Sequence, residues 1–297
     1  SGTEARVIEA YSYILEARML YNSSNGEEGS FVVSTNASFG VDFGDPDDFP
    51  LWCEMYNTLG ENGILSCGAT INGNYDVDEI GDVPTACASE YLISVTNTNQ
   101  SDNKVTQAGF GLETIDLGAP GQGAYNIRSG SSYGGFGGTS GATPHVTGTI
   151  ALLYSAPCIS LADLAMEDPA LAARMIRDYI LEGVDPNETL EGITTTGGRL
   201  NVNNSMQALM AECDGLGVNN VEGLENTIVL SPNPTDGLVN ISNLNNTALK
   251  SVVVYTIDGK LIKEIKSIRS NTIHLNELIS GVYILQFSFE NTDTVIN

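Results

Sequence analysis

The chain has 297 residues, of which 41% are hydrophobic, enough for one large domain and a small one. With 37 acidic against 12 basic residues its formal charge is −25, which argues against nucleic-acid binding and against attachment to anionic membrane surfaces. No apolar run approaches the roughly 20 residues of a membrane span, so none is expected.

Taken in order, Glu4 to Tyr21 reads as a helix, with Val7, Tyr11, Ile14 and Leu15 at helical spacing. Asn22 to Gly29 is a polar turn, and the β-branched stretch Phe31 to Ser38 predicts a buried strand. An acidic loop, Asp42 to Asp48, precedes a helix expected over Pro50 to Leu59, where Pro fits the first helical position. Further strands are expected at Ile64–Ala69, Tyr91–Thr96 and Thr114–Leu117. A glycine-dense run from Ser129 to Gly138 then feeds an apolar run, Val146 to Tyr154, that reads as a buried helix. Helices are expected again over Leu161–Met166, Leu171–Leu181 and up to Ala211. Strands alternating with helices predict an α/β fold on a parallel sheet, with functional atoms at the carboxyl ends of its strands.

Five cysteines occur, none in a C-x-x-C pair, which argues against a zinc site. In an exported protein they read as two disulfides and one leftover thiol. Spacing does not fix the connectivity; the pairing expected is Cys53–Cys87 and Cys158–Cys213, with Cys67 buried in a strand.

Chemistry concentrates at Gly138-Thr139-Ser140-Gly141-Ala142-Thr143-Pro144-His145-Val146. Ser140 is placed where free N–H groups and the helix dipole can hold a nucleophile and stabilise an oxyanion. The bland reading is an N-capping serine in a Gly/Ser loop. A nucleophile elbow, G-x-S-x-G, fits poorly because Ala142 stands where its second glycine belongs. The whole string resembles the G-T-S-x-A-x-P-H-V signature of subtilisin-like serine proteases, the subtilases. That resemblance implies a subtilisin-like three-layer fold and a peptidase acting through an acyl-enzyme on Ser140, with Thr139 beside it in the substrate site. Ser38-Phe39-Gly40 resembles the segment with which subtilases pair an extended substrate by strand addition. Ala69-Thr70-Ile71-Asn72-Gly73 stands where subtilases carry A-G-N-x-G, so Asn72 is expected to donate to the oxyanion; Asn74 is a competing candidate, and a plain turn role beside Gly73 is the bland one. Gly197 to Asn203 resembles the family's closing segment, so the resemblance covers roughly residues 4–213 and places a catalytic domain over 1–213.

Residues 214–226 form a Gly/Asn/Glu-rich linker. Beyond it, Val, Ile and Thr dominate and turn signals recur, predicting a small β-sandwich over 227–297. Ser231-Pro232-Asn233-Pro234, Val253 to Lys260 and Leu278 to Tyr283 resemble the C-terminal sorting domain of type IX secretion. This implies the type IX machinery as a partner and a secreted or cell-surface protein.

A serine protease needs a base beside the serine and a carboxylate orienting it. The chain has two histidines: His145 inside the Ser140 signature and His274 in the C-terminal region. Neither matches the G-H-G-T-H-V segment of subtilases. With no Met and no leader at Ser1, the expectation is a fragment with a cut start, lacking the triad Asp and His and nearly inactive alone. Protein or peptide substrates are implied; the alternative is a non-catalytic surface module, derived from a subtilase, that binds peptides. No cofactor is expected. Structural calcium on Asp42, Asp45, Asp47 and Asp48, or on Asp76, Asp78 and Glu79, is set against the simpler reading of these acids as solubilising.

Overall fold

The computed structural model describes residues 2–213, 229–242, 249–256, 260–266, 272–289 and 295–296. The chain divides into two compact units, Ser1–Cys213 and Asp214–Asn297. The expected linker, 214–226, lies outside the described residues.

The first unit opens with α1 (Gly2–Ser23), followed by β1 (Ser34–Ala37), β2 (Val41–Asp42), α2 (Pro50–Glu61), β3 (Leu65–Ala69), α3 (Val77–Ile80) and β4 (Asp82–Val83). Then come β5 (Leu92–Thr98), β6 (Leu117–Pro120), β7 (Ala124–Arg128), β8 (Ser132–Phe136) and α4 (Thr139–Tyr154). The unit closes with α5 (Ile159–Glu167), α6 (Pro169–Glu182), β9 (Asp185–Pro186), β10 (Gly198–Arg199) and α7 (Val202–Glu212). One six-stranded sheet carries the unit, in the order β1-β3-β5-β6-β10-β9. Its first four pairings are parallel, and only β9 runs antiparallel, against β10.

Every residue of β3 and β5 is buried, as strands covered on both faces must be. Side-chain alternation sorts them into two cores. Cys67, Ile93, Val95 and Leu117 pack with Val146, Ile150 and Leu153 of α4 and with Leu161, Ile176 and Leu209 of the later helices. Leu92 packs with Tyr11 of α1 and Trp52, Tyr56 and Leu59 of α2. Helices on both faces of a parallel sheet make three layers, as the subtilase resemblance implied. The disulfides are Cys53–Cys87 and Cys158–Cys213, and Cys67 is a buried free thiol, all as expected.

Three expectations need correction. The strand after Phe31 is only Ser34–Ala37; before it Val32 N–H turns back onto Ser30 O, and past it Ser38 bonds to Ser140 of α4. The strand placed at Thr114–Leu117 begins at Leu117 instead, because the backbone before it is still in a turn, Ile115 N–H donating to Gly111 O, and its pairing with β5 starts at Leu117, opposite Val95. The glycine-dense run is no plain loop: β7 and β8 pair as an antiparallel ribbon, Ala124 opposite Phe136.

In the second unit, β11 (Val229–Ser231), β12 (Leu238–Ser242), β13 (Leu249–Thr256), β14 (Leu261–Lys266), β15 (Thr272–His274), β16 (Tyr283–Phe289) and β17 (Val295–Ile296) form two sheets. These are β11-β12-β15 and β14-β13-β16-β17, antiparallel throughout. Val239, Ile241 and Ile273 from one sheet meet Val252, Val254 and Phe287 from the other, which makes a sandwich.

Candidate active site

Two strand ends and one helix start converge. The chain leaves β1 at Ala37 into Ser38-Phe39-Gly40, leaves β3 at Ala69 into Thr70-Ile71-Asn72, and enters α4 at Thr139. Ser140 is the second residue of that helix, too early to have an i−4 acceptor inside it, so its N–H is free to donate outward. The N-cap is Gly138, at φ 76°. A side chain there would stand 2.6 Å from the Asn72 Oδ1, so glycine is what lets Asn72 come close.

Asn72 Oδ1 accepts from Thr139 N–H at 3.2 Å. The carbonyl end of the amide is thereby held, and Nδ2 is the end left to donate. Asn74 makes no such contact and does not line the cavity, while Asn72 does. Thr139 is fully buried and borders the same cavity, its N–H held by Asn72.

Ser140 and Ser38 are joined twice. The Ser140 hydroxyl donates to Ser38 O at 3.5 Å, and the Ser38 hydroxyl donates to Ser140 O at 3.0 Å. Asn36 Nδ2 donates to Ser38 Oγ at 2.8 Å, and Thr147 Oγ1 donates to Asn36 Oδ1 at 3.2 Å, so the network is anchored back on α4. Phe39 is half exposed, with its ring 6.1 Å from that of Trp52. Gly40 packs so tightly on Val83 that a side chain would fall 2.2 Å from its carbonyl oxygen.

Ser38, Gly40, Asn72 and Ser140 border one cavity of about 200 Å³, which Asp42 and Asp82 also line. Asp82 was not singled out in the sequence. It is one of 37 acidic residues, and only its burial marks it. Burial raises its pKa above the usual carboxylate value, against hydrogen bonds from Thr85, Thr70 and Ile71 that pull the other way. No imidazole reaches Ser140 among the described residues. His145 is exposed on α4, its Nδ1 2.9 Å from Gly141 O, and His274 lies in β15 of the other unit.

The acidic loops use their oxygens locally. Asp45 and Asp76 cap the turns that follow them, and Asp78 accepts from Glu113 N, Thr114 N and Thr114 Oγ1. Among the described residues no group of three or more His, Cys, Asp or Glu side chains is gathered to hold a metal ion.

A three-layer parallel α/β unit with a serine at a helix start, next to an asparagine amide, has the architecture of a serine hydrolase. The family assignment follows: the chain belongs to the subtilase family, whose model matches residues 1–204. Residues 230–297 match the secretion system C-terminal sorting domain, and the protein is secreted or displayed at the cell surface. Thermitase of Thermoactinomyces vulgaris is 43% identical over 149 residues, which cover 48% of this chain and 51% of that protein. The intracellular serine protease of Paenibacillus polymyxa is 31% identical over 156 residues, covering 52% and 46%. The extracellular protease of Xanthomonas campestris pv. campestris is 34% identical over 123 residues, covering 38% and 20%. The matched stretches thus span a fifth to about half of these relatives. Among solved structures, the prenylagaramide maturation protease PagA superposes with a TM-score of 0.49 at 22% identity, covering 66% of this chain and 67% of that one.

Proposed function

We propose that this chain carries the nucleophile side of a secreted serine endopeptidase. Ser140 Oγ attacks the scissile carbonyl, and the oxyanion is held by Ser140 N–H and Asn72 Nδ2. The substrate backbone pairs along Ser38 to Gly40 by strand addition. The observation that supports this best is the placement of Ser140 at the second position of α4, in one cavity with Asn72.

The base is the unfilled role. His145 is turned onto Gly141 O, and among the described residues no carboxylate pairs with it. In this reading the base and its orienting acid come from outside residues 1–297, and this polypeptide alone is nearly inactive, since losing one triad member already costs orders of magnitude in rate. The second reading, a surface module that binds peptides without cutting them, is favoured only by that same missing base.

Casein hydrolysis by the longest reading frame that contains this sequence decides between them. Activity that vanishes in Ser140→Ala supports the peptidase. Activity unchanged by that substitution, or no activity from a frame that supplies an H-G-T-H segment, overturns it.

A further inference from the structure

The cavity beside Ser140 holds a buried acid that the proposed chemistry does not use. Asp82 is 2% exposed. Its Oδ2 accepts three hydrogen bonds, from Thr70 Oγ1 at 3.0 Å, Ile71 N at 3.0 Å and Thr85 Oγ1 at 2.6 Å. No donor from the described residues reaches Oδ1, and the residue lines the cavity. Three donors on one oxygen favour the ionised carboxylate, yet burial works against its charge, which raises its pKa. A buried charge is costly unless it is paired.

Among the described residues no partner of opposite sign is at hand. None of the residues lining the cavity is Lys, Arg or His. The nearest charge is of the same sign: Asp42 lies directly opposite Asp82 in the β2–β4 pairing and lines the same cavity. The site is therefore built for a positive guest. Two carboxylates fall short of the oxygen count a divalent cation takes from protein. The guest also has to arrive with the substrate's geometry. The cavity lies between Ser38 to Gly40 on one side and Ala69 to Asn72 on the other, with Ser140 at its border and Asp82 in its lining, so in the reading proposed above it is the space open to the side chain of the residue whose carbonyl Ser140 attacks. Phe39, Ala69 and Ile71 supply apolar wall for an aliphatic stem.

We propose that Asp82, assisted by Asp42, selects substrates with lysine or arginine as the residue that donates the scissile carbonyl. The assignment rests on the placement of Ser140 proposed above and names the substrate class of that site.

The test reads binding, so it works on residues 1–297 without a base. Fluorescently labelled, blocked tetrapeptide amides that differ only in their last residue, Lys, Arg, norleucine or Phe, are titrated against the chain. Lys and Arg peptides are expected to bind at least about tenfold more tightly than norleucine, as a charged hydrogen bond requires. Asp82→Asn keeps an oxygen for Thr70, Ile71 and Thr85, so it should fold, and it should erase the difference. Asp42→Asn changes an exposed residue and should reduce the difference in part. The nucleophile assignment is read separately, by loss of casein hydrolysis in Ser140→Ala of the longer frame, so its failure and failure of this one are separately visible. Equal or tighter binding of norleucine or Phe overturns the proposal, as does a preference that survives Asp82→Asn. Absence of binding by all four peptides overturns it too. Calcium alone binding at one equivalent and displacing the Lys peptide would make the cavity a metal site instead.

Discussion

The Ser38 hydroxyl donates to the carbonyl oxygen of Ser140 at 3.0 Å, and Pro144 is the reason that oxygen is available. In an α-helix the N–H of residue 144 would donate to the carbonyl of residue 140, and proline has none. The motif thus breaks its own helix ladder one turn past the serine, and a side chain from the end of β1 fills the gap. Helix start and strand end are locked together at the place where the nucleophile is held.

Ser38→Ala should therefore leave Ser140 O without that donor and cost about 1 kcal/mol. Urea unfolding followed by the fluorescence of Trp52, the single tryptophan and a core residue of the first unit, measures it. In a catalytically complete frame kcat should fall more than KM rises, because the substitution loosens the nucleophile while the strand-pairing backbone stays. A variant as stable as the parent, with unchanged kcat, would show that the contact is incidental.

Asn72→Ala removes the proposed oxyanion amide and should lower kcat by roughly 10²–10³-fold with little change in KM, the loss expected for one donor. Asn74→Ala should do far less, since Asn74 stands outside the cavity. Steady-state kinetics of both variants in the complete frame settle the assignment; reversed effects would move the donor to Asn74.

Cys67 lies at the centre of β3, fully buried, and burial pushes its thiol up to about 12. The thiolate is the reactive form, so at pH 8 the native chain should resist iodoacetamide at this position. Unfolding without reduction should expose one thiol per chain, since the other four cysteines are paired. Alkylation counted by mass spectrometry checks both, and rapid native labelling at Cys67 would contradict its placement.

How far these features were legible in the sequence depends on the range of the forces involved. The α4 helix could be read because apolar periodicity acts locally, and the three-layer order came through the family resemblance; the disulfide pairing was expected correctly, but nothing in the spacing of the cysteines fixed it. The position of Asn72 came through a motif, despite Thr70-Ile71 where the family has A-G. Asp82 did not come through, because an acid near a turn looks the same whether it faces water or a cavity; what distinguishes it is the β2–β4 pairing and the approach of Thr70 and Thr85. The β7–β8 ribbon was hidden by its glycines, which signal turns more strongly than strands. Thr114–Leu117 was misplaced because the backbone there is still in a turn, Ile115 N–H donating to Gly111 O, and that bond is invisible in the residue types.

Asp116 sets a pH dependence that can be checked. It lies just before β6, 7% exposed. It accepts from Ser94 N–H at 2.7 Å and pairs with Arg177 of α6 at 3.1 Å. Burial raises its pKa from 3.8, and Arg177, the second influence, pulls it down without cancelling the shift. An acid with a raised folded pKa contributes stability that is fully present below the unfolded value and is lost as pH rises through the folded value. Asp116→Asn should remove that loss. Relative to the variant, the parent chain should weaken as pH climbs above 3.8, then level off once the folded carboxyl is fully ionised. Arg177→Met leaves the buried carboxylate unpaired and should cost about 3 kcal/mol near neutral pH. It should also shift the levelling-off to higher pH, because the downward pull is gone. Urea midpoints from Trp52 fluorescence between pH 4 and pH 8 measure both. A parent and an Asp116→Asn variant that track each other across this range would mean that Asp116 is ionised in the folded chain as readily as in the unfolded one, and that Arg177 fully offsets its burial.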